Sequence, residues 1–143
     1  MPSFLGLNQI CGIIMVSNLC VKEKRTMLAY KNRFHGHGSL RFVYANGKSI
    51  RTQKMVVKYT TNPKRVESRF SVVVSKKVLK SAVGRNRIRR RIYEIVRKEL
   101  PRIDGIYDVA IIIFSKEVKD MPHKELKSLL VDSFKQADFY CNK

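Results

Sequence analysis

The sequence predicts a single α/β domain, on three observations. Apolar residues recur at helical spacing in three places, two segments rich in β-branched residues alternate, and one continuous apolar run, Asp108 to Ser115, suits a strand covered on both faces. At 143 residues, 44% of them hydrophobic, the chain is long enough for one core of its own.

The first segment stands outside this pattern. Phe4 to Cys20 is apolar, yet no positive residue precedes it, Asn8, Gln9, Ser17 and Asn18 interrupt it, and it is short for a membrane span. Residues 1–26 are therefore read as an extension poorly coupled to the domain, flexible or a product of start-site choice, with the domain occupying residues 27–143. An amphipathic contact with a membrane or a partner is the lesser alternative.

From Ser39 the elements follow in order. Ser39 is the expected N-cap of a short helix in which Leu40, Val43 and Tyr44 form an apolar and aromatic stripe, and Gly47 is its stop. Ser49 to Thr61 alternates as a strand, and Ser68 to Lys76 does so again after a turn, Thr61 to Glu67, that contains Pro63. The two are expected to pair antiparallel. A second helix runs from about Arg85 until Pro101 ends it, with Ile88, Ile92, Ile95 and Val96 on its core-facing stripe. The run from Asp108 to Ser115 is placed centrally in the sheet. Pro122 opens a last helix whose Leu126, Leu129, Leu130 and Phe134 share a face.

Charge points to the partner. Thirty Lys and Arg stand against eleven Asp and Glu, a formal charge of +19, and Glu23 is the only acid before residue 67. Such an excess destabilises a compact chain by self-repulsion, so it implies a polyanion, nucleic acid before an anionic membrane. The charge is also concentrated: eight of the sixteen residues from Lys76 to Arg91 are basic. At about 100° per residue, Asn86, Arg87, Arg90 and Arg97 fall opposite the isoleucines of the second helix, with Arg89 and Arg91 flanking them. Arginines three and four apart repel unless partnered, and only Glu94 is placed to help. A guanidinium fork pairs two phosphate oxygens and stacks on unpaired bases, which makes this ridge a nucleic-acid-binding surface.

Other chemistry is poorly supported. Cys11, Cys20 and Cys141 match no zinc spacing and suit free thiols in a reducing cytosol. The acids do not converge as a metal nuclease requires, and Asp104 and Asp108 read as turn formers on a solvated surface. His35 and His37 lie in a glycine-rich stretch, read as an RNA-facing loop, without further ligands to close a metal site. No catalytic or metal-binding residue is expected.

The stretch Arg69 to Glu94, "RFSVVVSKKVLKSAVGRNRIRRRIYE", resembles the signature of the bacterial ribonuclease P protein family: a strand ending in Ser-Lys-Lys, a connector, then Arg-Asn-Arg, an aliphatic residue and further basic residues opening a helix. The likeness extends upstream through "NRFHGHGSLRFVYANGKSI" and covers about residues 30 to 140. It implies an α/β (α+β) two-layer sandwich of the ribosomal protein S5 domain 2-like type, in the order α-β-β-(β)-α-β-α with a left-handed βαβ crossover. It also implies a protein that binds no cofactor of its own and has neither a membrane nor a stable protein partner. The partners implied are ribonuclease P RNA, which uses Mg2+ to cut precursor tRNA, and the precursor tRNA itself, in the cytoplasm.

By position, the resemblance assigns Lys76, Lys77, Arg85, Asn86, Arg87, Arg89 and Arg90 to the catalytic RNA. It assigns Leu40, Tyr44, Lys58 and Tyr59 to the single-stranded 5′ leader, in a cleft between the first helix and the sheet. Leu40 stands where the family's first helix usually has an aromatic, with Phe42 and Tyr59 as nearby rings. Tyr93 stands where arginine is frequent, and Arg91 adds charge where an aliphatic residue is frequent. Charge and fold class alone also permit a structural RNA-binding module such as a ribosomal protein, or a basic DNA binder.

Overall fold

The periodic segments form helices and strands in a computed structural model that describes residues 27–34 and 36–140. The elements are α1 (His37–Asn46), β1 (Lys48–Arg51), β2 (Met55–Thr61), β3 (Arg69–Val74), α2 (Ala82–Glu99), β4 (Tyr107–Ile113) and α3 (His123–Gln136). This is the expected single mixed α/β domain, with four strands in one sheet and three helices. The extension 1–26, His35 and all three cysteines lie outside the described residues.

Several expectations are corrected. Ser49 to Thr61 is a hairpin, not one strand: Thr52 N–H donates to the Met55 carbonyl at 2.9 Å and the Thr52 hydroxyl accepts from Met55 N–H at 3.3 Å, reversing the chain. The expected pairing of β2 with β3 is absent, because the sheet order is β1-β2-β4-β3. β4 enters between them, antiparallel to β2 and parallel to β3. Alternation marks a strand but carries no information about its neighbour. Two helix starts also move. α1 starts at His37, with Gly36 rather than Ser39 as N-cap at φ 93°, a conformation that glycine adopts freely, so His37 belongs to a helix and not a loop. α2 starts at Ala82, where Ser81 Oγ accepts from Gly84 N–H at 3.2 Å.

Strand alternation divides the sheet into two faces. One carries Phe70, Val72 and Val74 of β3, Val109, Ile111 and Ile113 of β4, and Met55 and Val57 of β2, all buried and in register across the ladders. Ile88, Ile92, Ile95 and Val96 of α2 and Leu126, Leu130 and Phe134 of α3 complete that core, as the two stripes predict. The other face carries Arg69, Asp108, Ala110 and Lys58, over which α1 lies. Ala110 is fully buried there, so β4 is covered on both sides along much of its length.

The segment before α1 seals the edge strand β3. Leu28 is buried, Asn32 Nδ2 donates to the Ser68 carbonyl at 2.9 Å, and Arg33 bridges to Phe70 in parallel. Above the same strand, Val72 N–H donates to the Tyr93 hydroxyl at 3.3 Å, and the Arg33 guanidinium lies 5.6 Å from the Tyr93 ring. The Asn32-Arg33 pair therefore closes an edge that would otherwise expose backbone donors and acceptors.

Asp108, expected at a solvated turn, is 2% exposed and sits inside β4. Arg69 grips it with two bonds, Nε to Oδ1 at 2.9 Å and Nη2 to Oδ2 at 2.7 Å, while Asn62 Nδ2 adds a third at 2.9 Å. The burial of a carboxylate is tolerated only with such compensation. At the end of α2, Glu99 is 1% exposed and is met by Lys127 Nζ at 3.3 Å, Arg102 Nη1 at 3.4 Å and the Tyr140 hydroxyl at 3.3 Å. Burial first, and then the Glu99 charge and hydrogen bond, push the Tyr140 phenol up to about 12.

Two outcomes follow from this packing. A Cβ on Gly47 would collide with the Val43 carbonyl and stand 3.1 Å from the Tyr59 carbonyl, both rigid backbone, so Gly47→Ala destabilises the fold by roughly 1–3 kcal/mol in urea unfolding. Because its folded pKa is raised, Tyr140 contributes stability that is complete below pH 10 and is lost as pH rises from its ordinary value of 10.0 through about 12. Absorbance titration of phenolate in the parent and in Tyr140→Phe yields a difference curve with its midpoint near that upper value.

Candidate nucleic-acid interface

The same helix that fills the core displays the charge. With Ile88, Ile92, Ile95 and Val96 buried, helical geometry turns Asn86, Arg87 and Arg90 outward, and all three are exposed. Arg87 and Arg90 make no ion pair with any described carboxylate, and nor do Lys76 and Lys77 in the connector ahead of α2. Ser75 shapes that connector: its carbonyl accepts from Val78 and Leu79 N–H and its hydroxyl from Lys77 N–H, leaving both lysines in solvent. Glu94, the acid expected to relieve the ridge, instead pairs with Lys98 at 3.5 Å. Four exposed cations, on α2 and on the connector ahead of it, are thus left unneutralised by the described carboxylates.

The remaining basic residues divide by what their guanidinium groups already hold. Arg85 is half-buried, with Nη1 donating to the Leu79 carbonyl at 2.9 Å and the Lys80 carbonyl at 2.7 Å, so it fixes the connector as well as carrying charge. Arg89, also half-buried, reaches Asn86 Oδ1 at 3.4 Å, and its buried Nε has no partner within the described protein. Arg91 is engaged entirely elsewhere. Its guanidinium donates to the carbonyls of Val118, Lys119 and Met121, clamping the segment that leads into α3. Arg91 therefore adds no free cation to the ridge, and the ridge centres on Arg87 and Arg90.

On the opposite face of the sheet, Tyr44 and Leu40 are half-buried on α1, one turn apart. Lys58 of β2 donates from Nζ to the Tyr44 carbonyl at 3.0 Å and lies 5.7 Å from the Tyr44 ring centroid. Burial raises the Tyr44 phenol above its ordinary value. Tyr59 does not join this group. As the next residue on β2 it faces the other way, and its ring packs edge-on against Phe139, with centroids 4.9 Å apart. Phe42 is 56% exposed on the outer side of α1.

Sequence reasoning passed over one surface pair. Phe114, the residue after β4, is 40% exposed, and the Arg51 guanidinium lies 5.7 Å from its ring centroid. Alternation carried one residue past Ile113 places Phe114 on the Tyr44 side of the sheet, the signal by which it was detectable.

Asp108 is consumed by Arg69 and Asn62, Asp104 is exposed, and His37 is exposed at the start of α1. Among the described residues no group of three His, Cys, Asp or Glu is placed to hold a metal ion, and no helix is long and apolar enough to cross a membrane.

Comparison with known proteins agrees with this architecture. The family model described as Ribonuclease P matches residues 28–138. The ribonuclease P protein component of Clostridium botulinum is 33% identical over 111 residues, covering 77% of this chain and 97% of that protein. That of Bacillus mycoides is 33% identical over 107 residues, covering 75% and 91%. Among solved structures, the Staphylococcus aureus RNase P protein superposes with a TM-score of 0.69 at 26% identity, covering 77% of this chain and 98% of that one. The Thermotoga maritima RNase P protein, at 23% identity and a TM-score of 0.65 over 73% and 96%, shares the fold. With the match running from the sealed edge of β3 to the end of α3, this chain belongs to the ribonuclease P protein family.

Proposed function

We propose that this chain is the protein subunit of a cytoplasmic ribonuclease P ribonucleoprotein, which binds the catalytic RNA and the 5′ leader of precursor tRNA to promote endonucleolytic maturation of the tRNA 5′ end. The observation that carries this reading is α2 itself, whose apolar stripe is buried while Arg87 and Arg90, beside Lys76 and Lys77, stand exposed and unpaired. Family membership supplies the identity of the RNA, and the charged surface supplies a physical means of binding it.

In this mechanism the protein positions and the RNA cuts. Guanidinium forks of Arg87 and Arg90 and the ammonium groups of Lys76 and Lys77 neutralise phosphates of the catalytic RNA, with Asn86, Arg85 and Arg89 beside them. Magnesium ions held by that RNA supply the metal chemistry. Across the sheet, Tyr44 and Leu40 offer a stacking and an apolar surface to unpaired leader bases, and Lys58, anchored against Tyr44, faces their phosphates. Since the leader distinguishes precursor from product, its binding favours substrate over mature tRNA.

The decisive experiment is precursor tRNA cleavage by ribonuclease P RNA at low magnesium, with and without the full chain. Stimulated cleavage and tighter binding of precursor than of mature tRNA are expected. RNA binding without stimulation indicates a structural RNA-binding module instead.

Two neighbouring arginines separate binding from architecture. Arg90→Ala reduces the slope of log affinity against log salt for the catalytic RNA by about one, with unfolding unchanged. Arg91→Ala leaves that slope alone but lowers stability by roughly 1–3 kcal/mol, because three carbonyls lose their donor. Salt titration of RNA binding and urea unfolding of both variants check the pair.

A further inference from the structure

α1 covers only one end of its face of the sheet. Phe34, just ahead of α1, lies against Arg69, whose Cζ is 4.7 Å from the ring, and the helix ends at Gly47 beside the Tyr59 carbonyl. Both contacts are at the level where Arg69, Asp108 and Thr60 stand in register. Towards the other end, Val73 of β3, Ile112 of β4 and Val56 of β2 are apolar yet only half-buried, so this end of the face remains open. This strip of open sheet runs from Lys58 and Tyr44 to Arg51 and Phe114.

The far end of the strip has the chemistry of a base-stacking site. Phe114 presents a ring that is 40% exposed, and Arg51, exposed at the end of β1, lies over it at 5.7 Å. Arg51 pairs with no described carboxylate. Glu117 and Glu125 pair instead with Lys54, at 3.3 and 3.5 Å. A ring with a free guanidinium beside it binds a base through its face and a phosphate through the fork. The connector with exposed Lys76 and Lys77 leaves β3 at this same end of the sheet, because β3 runs parallel to β4 and both finish there.

We infer that Phe114 and Arg51 form a second stacking subsite for single-stranded RNA, so that the leader runs along the open sheet from Tyr44 and Lys58 to Phe114. This rests on the proposed leader-binding function and extends it. Lys58 and Phe114 are separated by about four residues of strand, roughly 13 Å at the usual rise, so the subsite engages only leaders long enough to span that distance. It also supplies an aromatic surface to a sheet face where α1 offers only one ring and an aliphatic side chain at Leu40 and Tyr44.

The test uses holoenzyme assembled from full chain and ribonuclease P RNA, with precursor tRNAs carrying leaders of two and of ten nucleotides. Phe114→Ala weakens binding of the long-leader precursor about fivefold or more, the lower range for a base stacked on an aromatic, and leaves the short-leader precursor unchanged. Phe114→Trp retains the parent affinity for both. In the parent, 2-aminopurine placed at successive leader positions is quenched at one distal position, and that quenching disappears in Phe114→Ala alone. Equal weakening for both leaders, or no quenching that depends on Phe114, overturns the subsite while leaving the functional reading intact. Failure of the parent chain to stimulate precursor cleavage overturns both.

Discussion

Two charges buried against each other hold the two sides of this domain together. Asp108 and Arg69 face across the parallel β3–β4 ladder, and once both leave water each must be satisfied by the other. Asn62 binds the same carboxylate from the end of β2, and Phe34 covers the guanidinium from the segment that enters α1. One carboxylate thus ties three strands to the start of the helix that bears Tyr44. Removing either charge would strand its partner in a place water does not reach, which is strongly destabilising.

Helices were more legible in the sequence than the sheet, for a physical reason. The stripe Ile88, Ile92, Ile95 and Val96 depends only on local geometry, and all four residues are buried as the spacing requires. Strand partners depend on contacts distant in sequence. Nothing within Ser68 to Lys76 reveals that a strand some forty positions later inserts beside it, so the sequence suggests a pairing of β2 with β3 that the fold does not contain. The polar run Arg51 to Lys54 in fact carries a hairpin turn, but it holds no Gly, Pro or Asn to mark it as one.

The candidate site was legible in its charge but not in the division of labour within it. Five arginines between Arg85 and Arg91 look alike in sequence. Folded, Arg87 and Arg90 are free, Arg85 binds two carbonyls, and Arg91 is turned to the segment before α3, a destination fixed by tertiary packing. Tyr59 shows the simpler lesson of strand parity: adjacent to Lys58, it cannot share its face, and its ring completes an aromatic cluster with Tyr107 and Phe139.

The insertion of β4 between β2 and β3 also sets a timetable for synthesis. The ribosome delivers β1, β2 and β3 first, but β2 and β3 have no hydrogen-bonded contact until residues 107–113 emerge, more than thirty residues later. Until then α2, the most basic element, has no complete sheet against which to bury its isoleucines. A truncated or stalled nascent chain therefore cannot present an ordered arginine ridge, and that charged surface is withheld from incomplete copies by topology alone.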